Sequence, residues 1–439
     1  MSSVFYRDPG SSYPMAVRGE GMYLYDSDGK QYLDMSGGAA VSCLGHGHPE
    51  VVKAVQDQAG KLAYAHTAFF TNEPQEELAD RLARRFPEDG AKVWLTSGGS
   101  ESNESALKIA WQYWRAKGKP DKTIIISRQF SYHGGTLGAT SISGSVFRRA
   151  AYERVLHDWP RISPCYAWRH KSDSETERQY GHRMAAELDE AIRLAGPQNV
   201  AAFIAEPVVG ATLGVMPAVP GYFEEIRRIC DKHHVLFIAD EVMCGSGRCG
   251  TFYAHEQENV LPDLVSIAKG LGGGYQPIGA IIIRKRIHDG IQKDPGGFAH
   301  GHTYMGHAIS CAAGVAIQKC LDDGVLESIS GKSEKLFQVL NDRFQDHPSV
   351  GDIRGRGLFA GIEFVANRDT KAAYPVAANI PSKLKSAAME HGLICYPGGG
   401  SVDGKQGAHL LLAPPFIAED QHFEELADKL SKMFASVFA

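Results

Sequence analysis

Two kinds of hydrophobic spacing divide the chain. Residues 20–34, EGMYLYDSDGKQYLD, alternate apolar and polar positions on either side of Asp28-Gly29, which predicts a β-hairpin. From about residue 74 the spacing changes. Amphipathic runs such as EPQEELADRLARRFP, stopped by Pro87, take turns with short, continuously apolar segments. KVWLT (92–96), TIIIS (123–127), VAAFIAEPV (200–208), VLFIAD (235–240), LVSIAK (264–269) and GAIIIR (279–284) read as strands; SESNESALKIAWQYWRAKGK, HRMAAELDEAIRLAG and GYFEEIRRICDKHH read as helices. Strands without a polar face, separated by helices, predict an α/β fold with a mostly parallel sheet between helices.

A long helix near 305–323 closes this part. Beyond it the helix SEKLFQVLNDRFQDH, the strand GLFAGIEFV, the helix IPSKLKSAAMEHG and a final helix from about 418 predict a smaller α/β domain built from both chain ends. The expected division is 1–60 as an N-terminal segment joining the small domain, 61–322 as the large domain and 323–439 as the small one. The charged stretch RHKSDSETERQYGHR (169–183) reads as a solvated loop.

Composition narrows the function classes. At 43% hydrophobic and 22% charged residues, the 439-residue chain has the balance of a globular protein with a sizeable core. A formal charge of −5 without a long basic run weighs against a nucleic-acid or anionic-membrane partner. The cysteines, at 43, 165, 230, 244, 249, 311, 320 and 395, show no CxxC pair; neither a metal site nor a dithiol redox site is expected. That usage, with no signal peptide and no apolar run of membrane-span length, points to the cytoplasm.

Ligands of α/β sheets sit at the carboxyl ends of the strands, so the residues following each strand are the candidates for chemistry. After KVWLT comes SGGSESN (97–103), a Gly/Ser loop opening a helix, which suits either a phosphate or a plain cap at Ser100 or Ser102. After TIIIS come Tyr132 and His133, able to lie over a flat ring or to pack as ordinary aromatics. Glu206 ends another strand and reads as a site acid or a surface carboxylate. Asp240 ends a strand that should be buried, where an ionised carboxylate needs a cation or strong donors. Lys269 ends the next, ahead of a glycine cluster. A desolvated lysine there is a nucleophilic amine, whereas an ordinary one would snorkel to solvent. A phosphate loop, an aromatic plate, an acid and an amine on one sheet edge are together the parts pyridoxal phosphate requires. The competing match, GSGRCG (245–250), has the G-x-G-x-x-G spacing of a dinucleotide fingerprint. It neither follows its strand directly nor opens a helix, which argues against an NAD-dependent dehydrogenase.

VLFIADEVMCGSGRCGTFYAHE followed by PDLVSIAKGLGGGYQPIGA resembles the class III, ω-amino-acid-type aminotransferases of fold type I. YLYDSDGKQYLDMSGGAAVSCLGHGHPEV, LTSGGSESNESALKIA, SYHGGTLGA, AEPVVG, GHTYMGHAISCAA, IRGRGLFAGIEF and LLLAPPF are similar to that family's landmarks in its order. The resemblance implies pyridoxal 5′-phosphate as cofactor and Lys269 as its Schiff-base lysine. It further implies Asp240 at the ring nitrogen, Gly99 and Ser100 at the phosphate, Tyr132 and Val242 on the two ring faces, and Glu206 and His133 beside them. Thr303 resembles the threonine that reaches the neighbouring subunit's phosphate, which implies a homodimer with shared sites, or a tetramer of such dimers.

The chain departs from the pattern in two places. Gly98 stands where a serine or threonine is common. The stretch from Leu393 to Phe416 has no arginine, with Tyr396 near a place where many members bind the substrate carboxylate. Arg148 or Arg149 is then the candidate for that role, and Phe69 and Phe70 are candidates for pocket lining or core. The expected reaction is ping-pong transfer from a primary amine or ω-amino acid to an oxo acid, pyruvate before 2-oxoglutarate. The same motifs would serve an aminomutase of the glutamate-semialdehyde type, which needs no oxo acid, or a dialkylglycine-type decarboxylase, which releases carbon dioxide.

Overall fold

The computed structural model describes residues 2–8 and 10–438. The predicted hairpin forms from strands Tyr23–Asp26 and Gln31–Asp34, paired antiparallel. Asp26 makes the turn: its Oδ1 accepts the backbone N–H groups of Asp28 (3.0 Å) and Lys30 (2.9 Å), and Gly29 takes the φ of +81° that closes it. A third strand, Ala16–Glu20, lies outside. Leu393–Ile394, from the other end of the chain, pairs parallel with Leu33–Asp34.

The central sheet has seven strands in the order Lys92–Thr96, Gly279–Ile283, Leu264–Ile267, Leu236–Asp240, Val200–Ala205, Ile124–Arg128, Arg161–Ile162. Gly279–Ile283 alone runs against its neighbours, so all the other strands point their carboxyl ends to one edge. Val200–Ala205 is buried along its whole length, which is why it carries no polar face. Helices cover the sheet with apolar stripes: in Tyr222–Lys232 the buried residues are Tyr222, Phe223, Ile226, Ile229 and Cys230, at helical spacing. Next to the edge strand Lys92–Thr96, Gly279 leaves room for the Thr96–Ser102 hydroxyl pair (2.8 Å), since a Cβ there would lie 2.5 Å from Ser102 Oγ.

Several expectations are corrected. The stretch 169–183 is not one loop. A short helix covers Ala167–His170, and Glu177–Ala195 starts well before the predicted helix. Its start is a capping box, with Thr176 and Gln179 each bonding the other's backbone N–H. The long helix near 305–323 is Ala308–Cys320, which continues through a widened turn at Leu321–Val325 into Leu326–Phe344. The strand GLFAGIEFV, observed as Phe359–Phe364, is the second strand of a four-stranded antiparallel sheet with Val350–Arg356, Ala408–Leu412 and Tyr396–Gly399.

An ion network ties this second sheet to the rest. Glu363, with no exposed surface, accepts from Arg169 Nε (2.9 Å), Arg354 Nη1 (2.7 Å) and the Tyr166 hydroxyl. Burial raises its proton affinity, but Arg354 and Arg169 outweigh that and hold the carboxyl below its usual range. Arg354 also donates to the carbonyls of Leu213 (2.5 Å), Gly214 (3.2 Å) and Val215 (3.1 Å). Replacing Glu363 by alanine strands two buried guanidinium groups and should remove about 3–5 kcal/mol of stability. Equilibrium unfolding in urea of Glu363→Ala against the parent measures it.

Candidate active site

At the carboxyl edge of the sheet lies a cavity of about 570 Å³. Gly99, Ser100, Tyr132, His133, Glu206, Asp240, Val242 and Lys269 all line it. Residues spread over 170 positions of sequence thus meet because their strands end together.

Asp240 closes its strand with 2% of its surface exposed. Its Oδ2 accepts from Asn103 Nδ2 (2.7 Å) and faces His133 Nδ1 (2.7 Å), while Oδ1 accepts the Val242 N–H (3.0 Å). Opposite a carboxylate, Nδ1 of His133 carries the proton. These three partners take the place of the water the carboxylate gives up on burial. Asn103 was missed in the sequence. The available signal was an amide inside a helix, a poor helix former that needs a reason to be there.

Glu206 is not a surface carboxylate. It is buried, with Oε1 accepting the Tyr132 N–H and Oε2 the Gly210 N–H, each at 3.1 Å, and burial pushes its carboxyl up from the usual range. It therefore fixes the loop that carries Tyr132.

Lys269 stands just past Leu264–Ile267 at φ +45°, a left-handed conformation that costs a lysine about 1–2 kcal/mol. Its Nζ donates to the Ala39 carbonyl (3.1 Å), in a left-handed turn where Gly37, Gly38, Ala39 and Ala40 have φ of 53°, 58°, 69° and 64°. Burial lowers the ammonium from 10.5 to about 8, against the opposing pull of Asp240 and Glu206.

Neither Ser100 nor Ser102 caps the helix Gly99–Ala116. Gly98 is the cap residue and offers no side-chain acceptor. The Ser100 hydroxyl accepts the Gly135 N–H (2.9 Å). The first N–H groups of an eighteen-residue helix thus face the cavity uncapped, an anion site by charge and geometry. Val242 presses on this corner: a Cβ on Gly99 would lie 2.6 Å from its Cγ1. Tyr132 presents its ring to the cavity and carries the Arg148 guanidinium 4.3 Å from its centroid. An anion cradle, an aromatic plate, a buried carboxylate and a desolvated amine around one space fit a phosphorylated pyridine aldehyde.

Other candidates fall elsewhere. Arg149 is spent on structure, donating to the carbonyls of Thr140 (3.0 Å), Ser141 (2.8 Å) and Ser143 (3.3 Å); only Arg148 reaches the cavity. Phe69 and Phe70 are neither core nor pocket lining but exposed, by 80% and 67%. Thr303 is on the surface outside the cavity, its carbonyl accepting the Tyr64 hydroxyl (2.9 Å). Residues 245–250 lie in a run of turns followed by a short 3₁₀ helix, Ala254–Glu258, and not at the start of an α-helix. Tyr396, in the arginine-free stretch, lines the cavity.

Comparison with known proteins agrees with this geometry. The family described as Aminotransferase class-III matches residues 6–434. An uncharacterized aminotransferase of Schizosaccharomyces pombe is 43% identical over 99% of this chain and 95% of its own length. A chloroplastic gamma aminobutyrate transaminase 3 of Solanum lycopersicum is 37% identical over 95% of this chain and 80% of its own. The crystal structure of an omega transaminase from Pseudomonas jessenii in complex with PMP matches with a TM-score of 0.91 at 30% identity, covering 99% of this chain and 96% of that one.

The depressed lysine makes a pH prediction. Below about 8 the Lys269 amine is protonated and unreactive; above it the neutral form dominates. Covalent capture of added pyridoxal phosphate by cofactor-free protein, trapped with borohydride and mapped to Lys269, should rise through about pH 8 and then level off. A lysine of ordinary basicity would still be rising at pH 10.

Proposed function

The chain belongs to the class III aminotransferases, enzymes that use pyridoxal 5′-phosphate, and on that footing we propose that it moves the amino group of a primary amine or ω-amino acid to an oxo acid, pyruvate before 2-oxoglutarate. The observation that carries this reading is the convergence of Lys269, Asp240 and the open helix start at Gly99–Ser100 on one cavity. Pyridoxal phosphate bound there supplies an aldehyde that takes up amines and a ring that stores an electron pair. Asp240, oriented by Asn103, His133 and Val242, would face the ring nitrogen and hold a proton there. The amides of Gly99 and Ser100 would hold the phosphate, and Tyr132 and Val242 the ring faces. Glu206 positions the Tyr132 loop. Lys269 would be the amine that holds the cofactor, and its Nζ would serve as the base that takes the proton from the donor carbon and the acid that returns it. Its lowered basicity lets it do both near neutral pH. The two half-reactions share this one set of groups, which is the basis for a ping-pong order.

The acceptor follows from counting cations. Arg148 is the guanidinium held on the cavity wall, and Arg7 lies on an exposed N-terminal segment. One fixed guanidinium serves one carboxylate, which favours a monocarboxylate acceptor.

Thr303 of a second copy would complete the phosphate site. Exposed aromatics continue from it: Tyr304, 62% exposed, packs 5.8 Å from Tyr64, Tyr64 packs on His66, and His66 packs 5.8 Å from exposed Phe69. Such a patch supports a homodimer. All eight cysteines are free, which supports a reducing compartment, the cytoplasm.

A panel of amine donors against pyruvate and 2-oxoglutarate, with both half-reactions read, tests the proposal. Turnover should require an oxo acid, with pyruvate the better one, and Arg148→Ala should raise the KM for pyruvate about 10-fold or more. Turnover without any oxo acid would overturn the reading. For assembly, sedimentation should give a dimer that Phe69→Asp weakens, with loss of cofactor retention in step.

A further inference from the structure

The cavity does not end at the cofactor groups. Arg148, Ala211 and Tyr396 line it and also line a second chamber of about 660 Å³. Each is within the size range of small-molecule sites, about 300–1,000 Å³. The chamber's apolar walls are Val146 and Phe147 on one side and Tyr374, Val376 and Ile380 on the other. Phe147 is 86% and Val376 62% exposed, so apolar surface faces the space with nothing of the chain laid over it. The remaining wall is the strand Tyr396–Gly399 and the loop after it. Gly398, Gly399, Gly400, Gly404 and Gly407 line this side and put no side chain into the space. The loop is seated closely, for a Cβ on Gly404 would lie 2.6 Å from Val146 Cγ2. Lys405 also lines the chamber, and among the described residues its ammonium forms no ion pair.

We propose that this chamber is a subsite for the tail of the amino donor. Its preferred donors are straight-chain amines and ω-amino acids longer than γ-aminobutyrate, with a terminal carboxylate meeting Lys405. The proposal rests on the transaminase reading and takes it further by naming the donor class. The donor's amine sits by Lys269, its chain passes Arg148, Ala211 and Tyr396, and its far end lies among the apolar walls. Each buried methylene should then improve recognition about 4-fold until the chamber is full.

The test is a chain-length series of alkylamines and ω-amino acids with pyruvate on the holoenzyme. The expected kcat/KM rises about 4-fold per methylene beyond γ-aminobutyrate and then levels. Val376→Trp, which fills the chamber from an exposed position, should flatten the rise and leave short donors as they were. Lys405→Glu should weaken long ω-amino acids about 10-fold and spare long alkylamines. A flat series in an enzyme that turns over short donors would overturn this inference while leaving the transaminase reading in place. If no donor is turned over, that reading fails, and calorimetric binding of straight-chain monocarboxylates, which cannot react, decides the chamber. Affinity that grows with length and is lost in Val376→Trp supports it; affinity indifferent to length overturns it.

Discussion

A carboxylate that ends a buried strand must be answered, and the answer given to Asp240 organises the rest of the site. Removing an ion from water costs several kcal/mol unless donors replace the lost hydration. Here they come from three separate segments: Asn103 on the helix Gly99–Ala116, His133 on the loop after Ile124–Arg128, and Val242 on the turn after Asp240 itself. Satisfying one acid therefore fixes three pieces of chain around it. The helix that delivers Asn103 also opens at Gly99. Four residues of helix rise about 6 Å, so the anion cradle and the acid are held a set distance apart by a single rigid element. A ligand with an anion at one end and a basic ring nitrogen at the other suits that spacing.

Lys269 adds the second constraint. Its left-handed backbone and its burial both act against it, and both are held by neighbours. The Ala39 carbonyl that receives its ammonium belongs to a turn that is itself left-handed over Gly37–Ala40. Local strain on two segments is thus borne by the packed sheet behind them. Asp240 and Glu206 raise the lysine's basicity while burial lowers it, and the balance near 8 leaves an amine that gains and loses a proton readily.

The sheet and most of its strand-end residues were legible in the sequence because both follow from period and topology. Continuous apolar runs could only be covered strands, and parallel strands must present their ends together. What escaped was whatever depends on direction rather than spacing. Nothing in GAIIIR says that it runs antiparallel, nor in Arg148-Arg149 which guanidinium turns inward from a four-residue helix. The start of Glu177–Ala195 was hidden by charge, although Thr176 and Gln179 spell a capping box. Phe69 and Phe70 gave no sign of lying on the surface, because an exposed aromatic and a core aromatic are the same letters. The family, the fold type and the cofactor, by contrast, rested on many ordered motifs, and the comparisons bear them out.

The arginine-free stretch Leu393–Phe416 shows how stability and selectivity meet in this fold. The stretch offers no guanidinium to a carboxylate, and its glycines leave volume beside them. That volume keeps its shape only if its two sides stay in register. The means lie close by: Arg354, anchored by buried Glu363, grips the carbonyls of Leu213, Gly214 and Val215. His409, across the sheet from Glu363, faces the Ala211 carbonyl with Nε2 at 3.0 Å. Burial holds that imidazole well below its usual basicity, so it stays neutral and the contact does not change sign with pH. Ala211 borders both chambers and is only two residues from Leu213, the first carbonyl of that grip. The network that holds the second sheet in place therefore also sets the width of the passage between the two chambers.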